Sequence, residues 1–288
     1  MMTESPVGVV GLGLMGTAIS ERLLERGYSV RVWNRTREKA GPLIERGAVW
    51  SDDPGAACER VLISLYSSDV VAEVVGRMNG TLRRGQYLID TTTGGPEQTA
   101  SLGRQLAERG INYLDAPISG SSEQTRRGEA VVMVGGEKSA FEACADLWPV
   151  LGRRVFHTGR CGSAAKMKLV SNLVLGLNRA VLAEGLAFAG SIGVDPADAL
   201  KVLKDSPAYS RAMDVKGRKM VEADFSVQAR LSQHLKDVQL MIEAADSAGM
   251  SLPLSQTHRE LLERAVEAGM GDLDNSAIVE ILRESNPE

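Results

Sequence analysis

Cysteine, histidine and aromatic residues are scarce in this sequence. It has three cysteines and three histidines among 288 residues, and Phe, Trp and Tyr make up 4% of the chain. Cys58, Cys144 and Cys161 are odd in number and far apart, form no CxxC pair, and lie at no metal-ligand spacing from a histidine. These absences argue against a disulfide framework and against a metal site, so we expect a metal-free protein from a reducing compartment.

A surplus of charge of one sign is also missing. The chain has 33 Lys and Arg against 37 Asp and Glu, a net charge of −4. Nucleic-acid binders usually show a basic surplus, so we expect no nucleic-acid partner. The first residues show no charged-then-apolar leader and lead straight into an apolar run. The expected localisation is cytoplasmic.

The stretch from Leu169 to Gly193 is apolar enough to raise the question of a membrane helix. It contains Asn172, Asn178, Arg179 and Glu184. Ionisable residues in a bilayer core are costly, so a helix buried inside a soluble protein is the better interpretation. We therefore expect no membrane partner.

The first half of the chain alternates short apolar runs with helical periodicity. Runs rich in branched residues predict strands at 7–10, 29–33, 61–64, 87–90, 112–115, 130–134 and 154–156. A helix over 18–26, closed by Gly27, lies between the first two. Such alternation predicts crossover units and a largely parallel, doubly wound α/β sheet of the Rossmann type, over residues 1–161.

From Ser163 onward the pattern predicts helices and no convincing strand. The helices are expected near 164–192, 231–248 and 254–268. The sequence therefore predicts an all-α domain over residues 162–288, joined to the first domain by a long helix. Met213, Met220 and Met241 fit helix packing, and the three histidines lie on different segments and are expected to carry no chemistry.

A glycine turn follows the first predicted strand and opens a helix. It reads Gly11-Leu12-Gly13-Leu14-Met15-Gly16. The bare spacing is weak evidence, but this context meets its physical requirements: a tight turn, close backbone approach to a pyrophosphate, and close helix–strand packing. The helix N-terminus offers free N–H groups to the anion. These six residues are the predicted dinucleotide site, a turn without a ligand being the alternative.

The end of the second strand distinguishes the two nicotinamide cofactors. NAD sites normally carry Asp or Glu there, whereas this chain has Asn34, Arg35 and Thr36. Arg35 can pair with a 2′-phosphate and Thr36 can add a hydroxyl, which favours NADP(H), with NAD(H) as the alternative. Arg35 could instead be an ordinary solvated residue. Leu65 and Tyr66, just past the predicted strand at 61–64, are assigned to the cofactor site. Tyr66 could touch the nicotinamide ribose or simply form the wall of the crevice.

Two further strand ends and one helix carry candidate chemistry. Thr93 follows the strand that ends at Asp90, and the segment 115–121 ends another strand with hydroxyl and N–H groups that suit a carboxylate. Ligands of open α/β sheets bind at such ends. Lys168 and Asn172 are four residues apart and share a helix face, where a lysine ammonium can protonate the oxygen of a carbonyl group whose carbon receives hydride. Lys166, two residues away, faces elsewhere. By spacing alone, Lys168 and Asn172 would also suit ordinary helix positions.

Taken together, these motifs resemble the β-hydroxyacid dehydrogenase family, which includes 3-hydroxyisobutyrate dehydrogenases, tartronate semialdehyde reductases and glyoxylate/succinic semialdehyde reductases. The resemblance rests on motifs along nearly the whole chain, namely the glycine turn, 33–36, 115–121, 133–136, Lys168 with Asn172, and Lys236-Asp237. It implies a Rossmann domain followed by a helical domain, and hydride transfer between NAD(P)(H) and a small β-hydroxyacid, semialdehyde or 2-oxoacid. It also implies a homodimer or homotetramer.

The resemblance also implies residue roles. Lys168 would be the catalytic acid or base with Asn172 beside it, and Thr93 would line the nicotinamide pocket. Lys236 would reach the cofactor from the second domain, and Asp237 would close the site. The substrate carboxylate would lie on the loop of Ser119, Gly120 and Ser121.

Two departures from the family pattern concern the substrate. The loop continues Ser121-Ser122 where members often have a second glycine, and Ala229 stands where several place an aromatic residue. Both changes suggest a roomier, more polar pocket. An imine reductase-like enzyme and a non-catalytic NADP-binding scaffold are the alternatives. Lys168 argues against the first, because an ammonium would destabilise a nearby iminium. It argues against the second because such scaffolds typically lose this helix lysine.

Overall fold

The computed structural model describes residues 5–284, and the chain divides into two compact units between Lys168 and Leu169. The division falls inside a long helix, a few residues after the boundary predicted at 161/162. Each unit has its own hydrophobic core.

Nine strands form one sheet in the described part of the first unit. They are β1 (Val7–Val10), β2 (Val30–Trp33), β3 (Val49–Trp50), β4 (Arg60–Ile63), β5 (Tyr87–Asp90), β6 (Asn112–Asp115), β7 (Ile118–Ser119), β8 (Val131–Gly135) and β9 (Arg154–Gly159). The order is β3-β2-β1-β4-β5-β6-β8-β7, with β9 paired to β8. This order reverses direction next to β1, which creates the crevice at the strands' carboxyl ends where such sheets bind ligands.

The sheet is parallel from β3 to β6, as the alternation of strands and helices predicted. Strand β8 runs antiparallel to β6 and β7 and parallel to β9. All seven predicted strands are present, with small shifts at their ends. The two strands that were not predicted, β3 and β7, have two residues each, too few to show a periodic pattern.

Helices cover both faces of this sheet. They are α1 (Leu14–Glu25), α2 (Gly41–Glu45), α3 (Pro54–Ala57), α4 (Ser68–Arg77), α5 (Pro96–Glu108), α6 (Ser122–Arg126), α7 (Lys138–Ala143) and α8 (Trp148–Leu151). Val9 belongs to one hydrophobic cluster and Val10 to the other, because successive strand residues point to opposite faces. Strands buried on both faces explain why their sequences read as continuous apolar runs.

Among its described residues the second unit contains helices and connecting loops, with no strand apart from an isolated bridge between Arg230 and Asp274. Its helices, including the one that the division cuts, are α9 (Ser163–Ser191), α10 (Pro196–Asp205), α11 (Arg218–Val221), α12 (Leu231–Ser247), α13 (Pro253–Ala265) and α14 (Ile278–Glu284). The three predicted helices correspond to α9, α12 and α13. Met213, Met220 and Met241 are buried in the core, as predicted.

The expectation that the apolar stretch of α9 is buried is correct for one face only. Leu182 and Leu186 are buried, whereas Val174, Val181 and Phe188 are 53%, 66% and 61% exposed. Residues advance about 100° around a helix, so a 29-residue helix that packs along one side leaves a stripe uncovered. By length and composition α9 is the one described helix that could cross a membrane, but core helices of soluble proteins pass the same test.

Candidate active site

The glycine turn connects β1 to α1, and two of its glycines are required by packing. Gly11 has a φ of +95°, and a side chain there would meet the carbonyl group of Ser64. A side chain at Gly16 would collide with the Gly11 carbonyl oxygen. At Gly13, by contrast, an added Cβ would meet no atom within 4 Å. Gly11 and Gly16 therefore allow the turn to close, and Gly13 leaves open space for a ligand.

The N-terminus of α1 faces that space without a capping side chain. Gly13 is its N-cap residue, makes no side-chain hydrogen bond, and no acidic residue lies in the first turn. The positive end of the helix dipole and its N–H groups are thus left for an anion. The turn fits the pyrophosphate of a dinucleotide.

The other residues of the turn have separate environments. Leu12 is buried, and its N–H donates to Asn34 Oδ1 at 2.9 Å. Leu14 is 47% exposed, whereas Met15 is half-buried, with its Sδ atom 3.9 Å from the Thr125 hydroxyl oxygen. Leu12 thus anchors the turn, and Asn34 holds the end of β2 against it.

The segment after β2 carries no carboxylate at the predicted cofactor positions. Asn34 Nδ2 donates to the Thr36 carbonyl oxygen at 2.9 Å, and Arg35 and Thr36 are exposed. Within residues 5–284, Arg35 makes no ion pair of 4 Å or less, while Arg37 stacks on the Trp50 ring at 5.1 Å. The guanidinium of Arg35 is therefore available to an anionic ligand.

A hydrogen-bond chain joins the ends of β4 and β5. The Leu65 N–H donates to Thr92 Oγ1 at 3.0 Å, and the Thr92 N–H donates to Asp90 Oδ1 at 2.9 Å. Tyr113 donates its hydroxyl to Asp90 Oδ2 at 2.6 Å. Burial raises the pKa of Asp90 to about 6, although these donors oppose the shift. These hydrogen bonds fix the carboxyl ends of β4 and β5. Tyr66, which lies just after β4, is 55% exposed.

Lys168 and Lys166 have different environments. Lys168 is buried, and its Nζ donates to the Ile118 carbonyl oxygen at 2.7 Å. Lys166 is exposed and lines a cavity between α5 and the start of α9. The sequence argument that the two side chains face different ways is therefore confirmed, and Lys168 is the lysine beside the predicted substrate loop.

That loop begins at Ser119, the last residue of β7, and continues into α6. Ser119, Gly120 and Ser121 are half-buried. The Ser121 hydroxyl accepts from the Gln124 N–H at 3.2 Å, and Gln124 Oε1 accepts from the Ser121 N–H at 2.9 Å. This capping box holds the loop, while the Ser121 hydroxyl can still donate its own hydrogen. Its assignment to the substrate stays a prediction.

Asp115 anchors the start of the helix that carries Lys168. Its two oxygens accept from the N–H groups of Gly162 and Ala165, each at 2.9 Å. Burial raises the pKa of Asp115 against these hydrogen bonds. The predicted motif 115–121 therefore begins with a residue whose carboxylate positions α9. No local pattern shows this role, because the partners are 47 and 50 residues away.

In the second unit, three predicted site residues lie together. Asn172 Nδ2 donates to Asp237 Oδ2 at 2.9 Å, and Lys236 Nζ lies 3.2 Å from Asp237 Oδ1. Asn172 and Asp237 are each 7% exposed. The buried Asp237 carboxylate therefore has an amide donor on one oxygen and an ammonium beside the other. These partners offset part of the cost of removing its charge from water.

Near this group, α12 and α13 bring together two histidines that the sequence places far apart. His234 and His258 have ring centroids 5.1 Å apart and lie against Gly176. Burial, and then the charge of Arg179, lowers the pKa of His258 to about 4. The described residues contain no group of metal-ligating side chains that could hold an ion.

Two family models match the chain. Residues 6–159 match the NAD binding domain of 6-phosphogluconate dehydrogenase, and residues 162–282 match the NAD-binding domain of NADP-dependent 3-hydroxyisobutyrate dehydrogenase. These matches cover the described strands and helices almost completely.

Individual relatives agree with the family models. Glyoxylate/succinic semialdehyde reductase 1 of Arabidopsis thaliana is 30% identical over 283 residues, covering 96% of this chain and 98% of the relative. A structure of Psf3 in complex with NADP+ and 2-OPP is 28% identical, with a TM-score of 0.89 over 96% of this chain and 99% of that one. The 3-hydroxyisobutyrate dehydrogenase structure from Salmonella typhimurium, 23% identical, shares the fold with a TM-score of 0.89 over 96% and 100%.

Proposed function

The chain belongs to the β-hydroxyacid dehydrogenase family of NAD(P)-dependent oxidoreductases, and we propose that it transfers hydride between NADP(H) and a small semialdehyde, β-hydroxyacid or 2-oxoacid. In this proposal Lys168 is the general acid or base. The observation that carries it is the buried Lys168 ammonium, 2.7 Å from the carbonyl oxygen of Ile118 and next to the loop that begins at Ser119.

The chemical role of Lys168 follows from this position. NADPH, when bound, supplies the hydride that reduces the carbonyl carbon. The carbonyl oxygen gains negative charge as hydride arrives, and a proton from Lys168 Nζ neutralises it to give the alcohol. The Ile118 carbonyl accepts one ammonium hydrogen and orients the others, because its own position is set by β7. In the oxidation direction the neutral amine receives the proton.

The loop after β7 is the proposed site for the substrate carboxylate. Ser119 and Ser121 supply hydroxyl groups, and Gly120 allows close approach of the backbone. Asn172 lies one helical turn beyond Lys168 and donates to Asp237. We assign Asn172 and Asp237 to holding this turn of α9.

The preference for NADP(H) over NAD(H) rests on charge. Asn34, Arg35 and Thr36 include no carboxylate that would repel a 2′-phosphate, and the exposed Arg35 guanidinium suits that dianion. The Psf3 structure, which contains NADP+, supports the same choice. Leu65, Tyr66 and Thr93 complete the proposed cofactor contacts along the strand ends.

A substrate panel tests the proposal. Oxidation of NADPH is followed with glyoxylate, succinic semialdehyde, methylmalonate semialdehyde, tartronate semialdehyde and a cyclic imine. We expect turnover with at least one carboxylate-bearing aldehyde, glyoxylate and succinic semialdehyde being named for the Arabidopsis relative. Reduction of the imine alone would reassign the protein to the imine reductases, and binding of NADPH without any turnover would support the scaffold alternative.

We further propose a cytoplasmic homodimer or homotetramer that associates through the exposed stripe of α9, formed in part by Val174, Val181 and Phe188. Apolar side chains at helical spacing are a surface that a second copy can cover. Size-exclusion chromatography with light scattering tests this. Val181→Glu is expected to shift the protein toward monomer, whereas a wild-type monomer would contradict the proposal.

A further inference from the structure

The cavity between α5 and the start of α9 has three cations in its lining. Its volume is about 390 Å³, and Arg104, Arg160 and Lys166 contribute to its walls. Sites for small molecules have volumes of roughly 300–1,000 Å³. Among the described residues, those that line it include none that we assign to NADP(H) or to the carbonyl substrate. The cavity is therefore separate from the proposed active site.

The charges around this cavity are unbalanced. Glu97 is its one acidic lining residue in the described chain, against three cations. None of those three side chains makes an ion pair of 4 Å or less within residues 5–284. The whole protein has a net charge of −4, so this cluster of positive charge is local and does not follow from the overall composition.

The three side chains come from separate elements. Arg104 lies on α5, Arg160 directly follows β9, and Lys166 lies on the first turn of α9. The N–H groups of Gly162 and Ala165 in this part of α9 already donate to Asp115. The helix N-terminus is thus partly occupied, and the attraction for an anion comes from the three cationic side chains.

We propose that this cavity binds a small molecule carrying a phosphate group, at a site additional to the cofactor and substrate sites. Three cations against one carboxylate match a phosphate monoester, whose charge is about −1.5 to −2 at neutral pH. Two arginines can each offer a planar pair of donors to phosphate oxygens, and the lysine adds a compact charge. The inference does not depend on the proposed reaction.

Inorganic phosphate is the probe, titrated calorimetrically at constant ionic strength with NADP+ at saturation to occupy the glycine turn. We expect saturable binding to the wild type and binding weaker by roughly tenfold or more in Arg104→Gln and in Arg160→Gln, since each loses charge-assisted hydrogen bonds. Arg153→Gln is the matched control, an exposed arginine of the same unit that does not line the cavity. It is expected to bind phosphate like the wild type.

The side chains of Arg104 and Arg160 are exposed, so their substitution should leave the thermal midpoint unchanged, which is checked in parallel. Absence of saturable binding, or equal binding by all four proteins, would overturn the proposal. Duplex DNA bound in place of phosphate, and lost in the same variants, would also overturn it. If NADP+ fails to bind, the titration is repeated without it, and the two arginine variants still decide the question.

Discussion

Lys168 Nζ donates a 2.7 Å hydrogen bond to the carbonyl oxygen of Ile118, a residue 50 positions earlier in the chain. This contact distinguishes Lys168 from Lys166, which lies two residues earlier in the sequence. It also places the ammonium beside the strand end from which the predicted substrate loop departs.

The first prediction concerns this pair of lysines. Lys168→Ala is expected to lower kcat by roughly 10²–10⁴-fold, the usual contribution of a general acid, because the carbonyl oxygen loses its proton donor. NADPH affinity should stay close to that of the wild type. Lys166→Ala is the matched control and should retain activity, because Lys166 is exposed and lines the cavity between α5 and the start of α9. Inactivation by Lys166→Ala alone would contradict the assignment. Steady-state kinetics and cofactor titration measure both quantities.

The second prediction separates two glycines of the same turn. Gly16→Ala is expected to destabilise the fold by about 1–3 kcal/mol, because the added methyl group meets the Gly11 carbonyl oxygen. Gly13→Ala should change stability by less than about 0.5 kcal/mol, because its Cβ enters open space.

Cofactor binding is expected to change at Gly13 although stability does not. Gly13→Ala should weaken NADPH binding by roughly tenfold or more, equivalent to about 1.4 kcal/mol, because the methyl group fills the space of the pyrophosphate. Urea unfolding and fluorescence titration of NADPH make the comparison. Unchanged NADPH affinity in Gly13→Ala would remove the glycine turn from the cofactor site.

The third prediction tests the choice of cofactor. Arg35→Glu is expected to weaken NADPH binding by about 10–100-fold, since a charge-assisted hydrogen bond is replaced by repulsion. NADH affinity in the same variant is the internal control and should stay the same or improve. A wild-type protein that prefers NADH would show that Arg35 does not read the 2′-phosphate.

The fourth prediction concerns the buried contact between Asn172 and Asp237. Asn172→Asp is expected to destabilise the protein by about 1–3 kcal/mol at neutral pH, because a donor to a buried carboxylate becomes a second carboxylate. The loss should be smaller at about pH 5, where one member of such a pair binds a proton. Asn178→Asp, an exposed position on the same helix, is the control and should change little. Equal losses of stability in Asn172→Asp and Asn178→Asp would mean that the hydrogen bond between Asn172 and Asp237 does not stabilise the fold.

The fifth prediction follows from the raised pKa of Asp90, which burial brings to about 6 from an ordinary value of 3.8. A folded-state pKa above the unfolded one means that the folded state binds the proton more tightly. The stabilisation of the folded state by this proton is present below about pH 4 and is lost as the pH rises through about 6.

Asp90→Asn removes this ionisation while keeping an oxygen that can accept from the Thr92 N–H. The free energy of unfolding of the wild type should therefore fall, relative to Asp90→Asn, by about 1–3 kcal/mol between about pH 4 and about pH 7. Urea unfolding at a series of pH values gives the difference, and parallel curves for the two proteins would refute the assignment. His258, whose pKa is lowered to about 4, acts with the opposite sign but equally in both proteins.

Much of the first unit could be predicted because its information is local. Branched apolar runs marked each longer strand, and the spacing of Gly11, Gly13 and Gly16 marked the turn. Strands β3 and β7 escaped prediction because two residues show no period. The exposed stripe of α9 was missed because apolar composition indicates that a helix can be buried, without showing how much of it a neighbour covers.

The sequence by itself determined the class of fold, the dinucleotide turn and the set of candidate residues, since each depends on residues within a few positions of one another. Only the tertiary structure decided that Lys168 reaches Ile118, that Asp115 holds the start of α9, and that Asn172 donates to Asp237. Those partners are 47 to 65 residues apart. Chain folding alone brings them within hydrogen-bond distance, and no local spacing records which distant backbone or carboxylate oxygen a buried donor will meet.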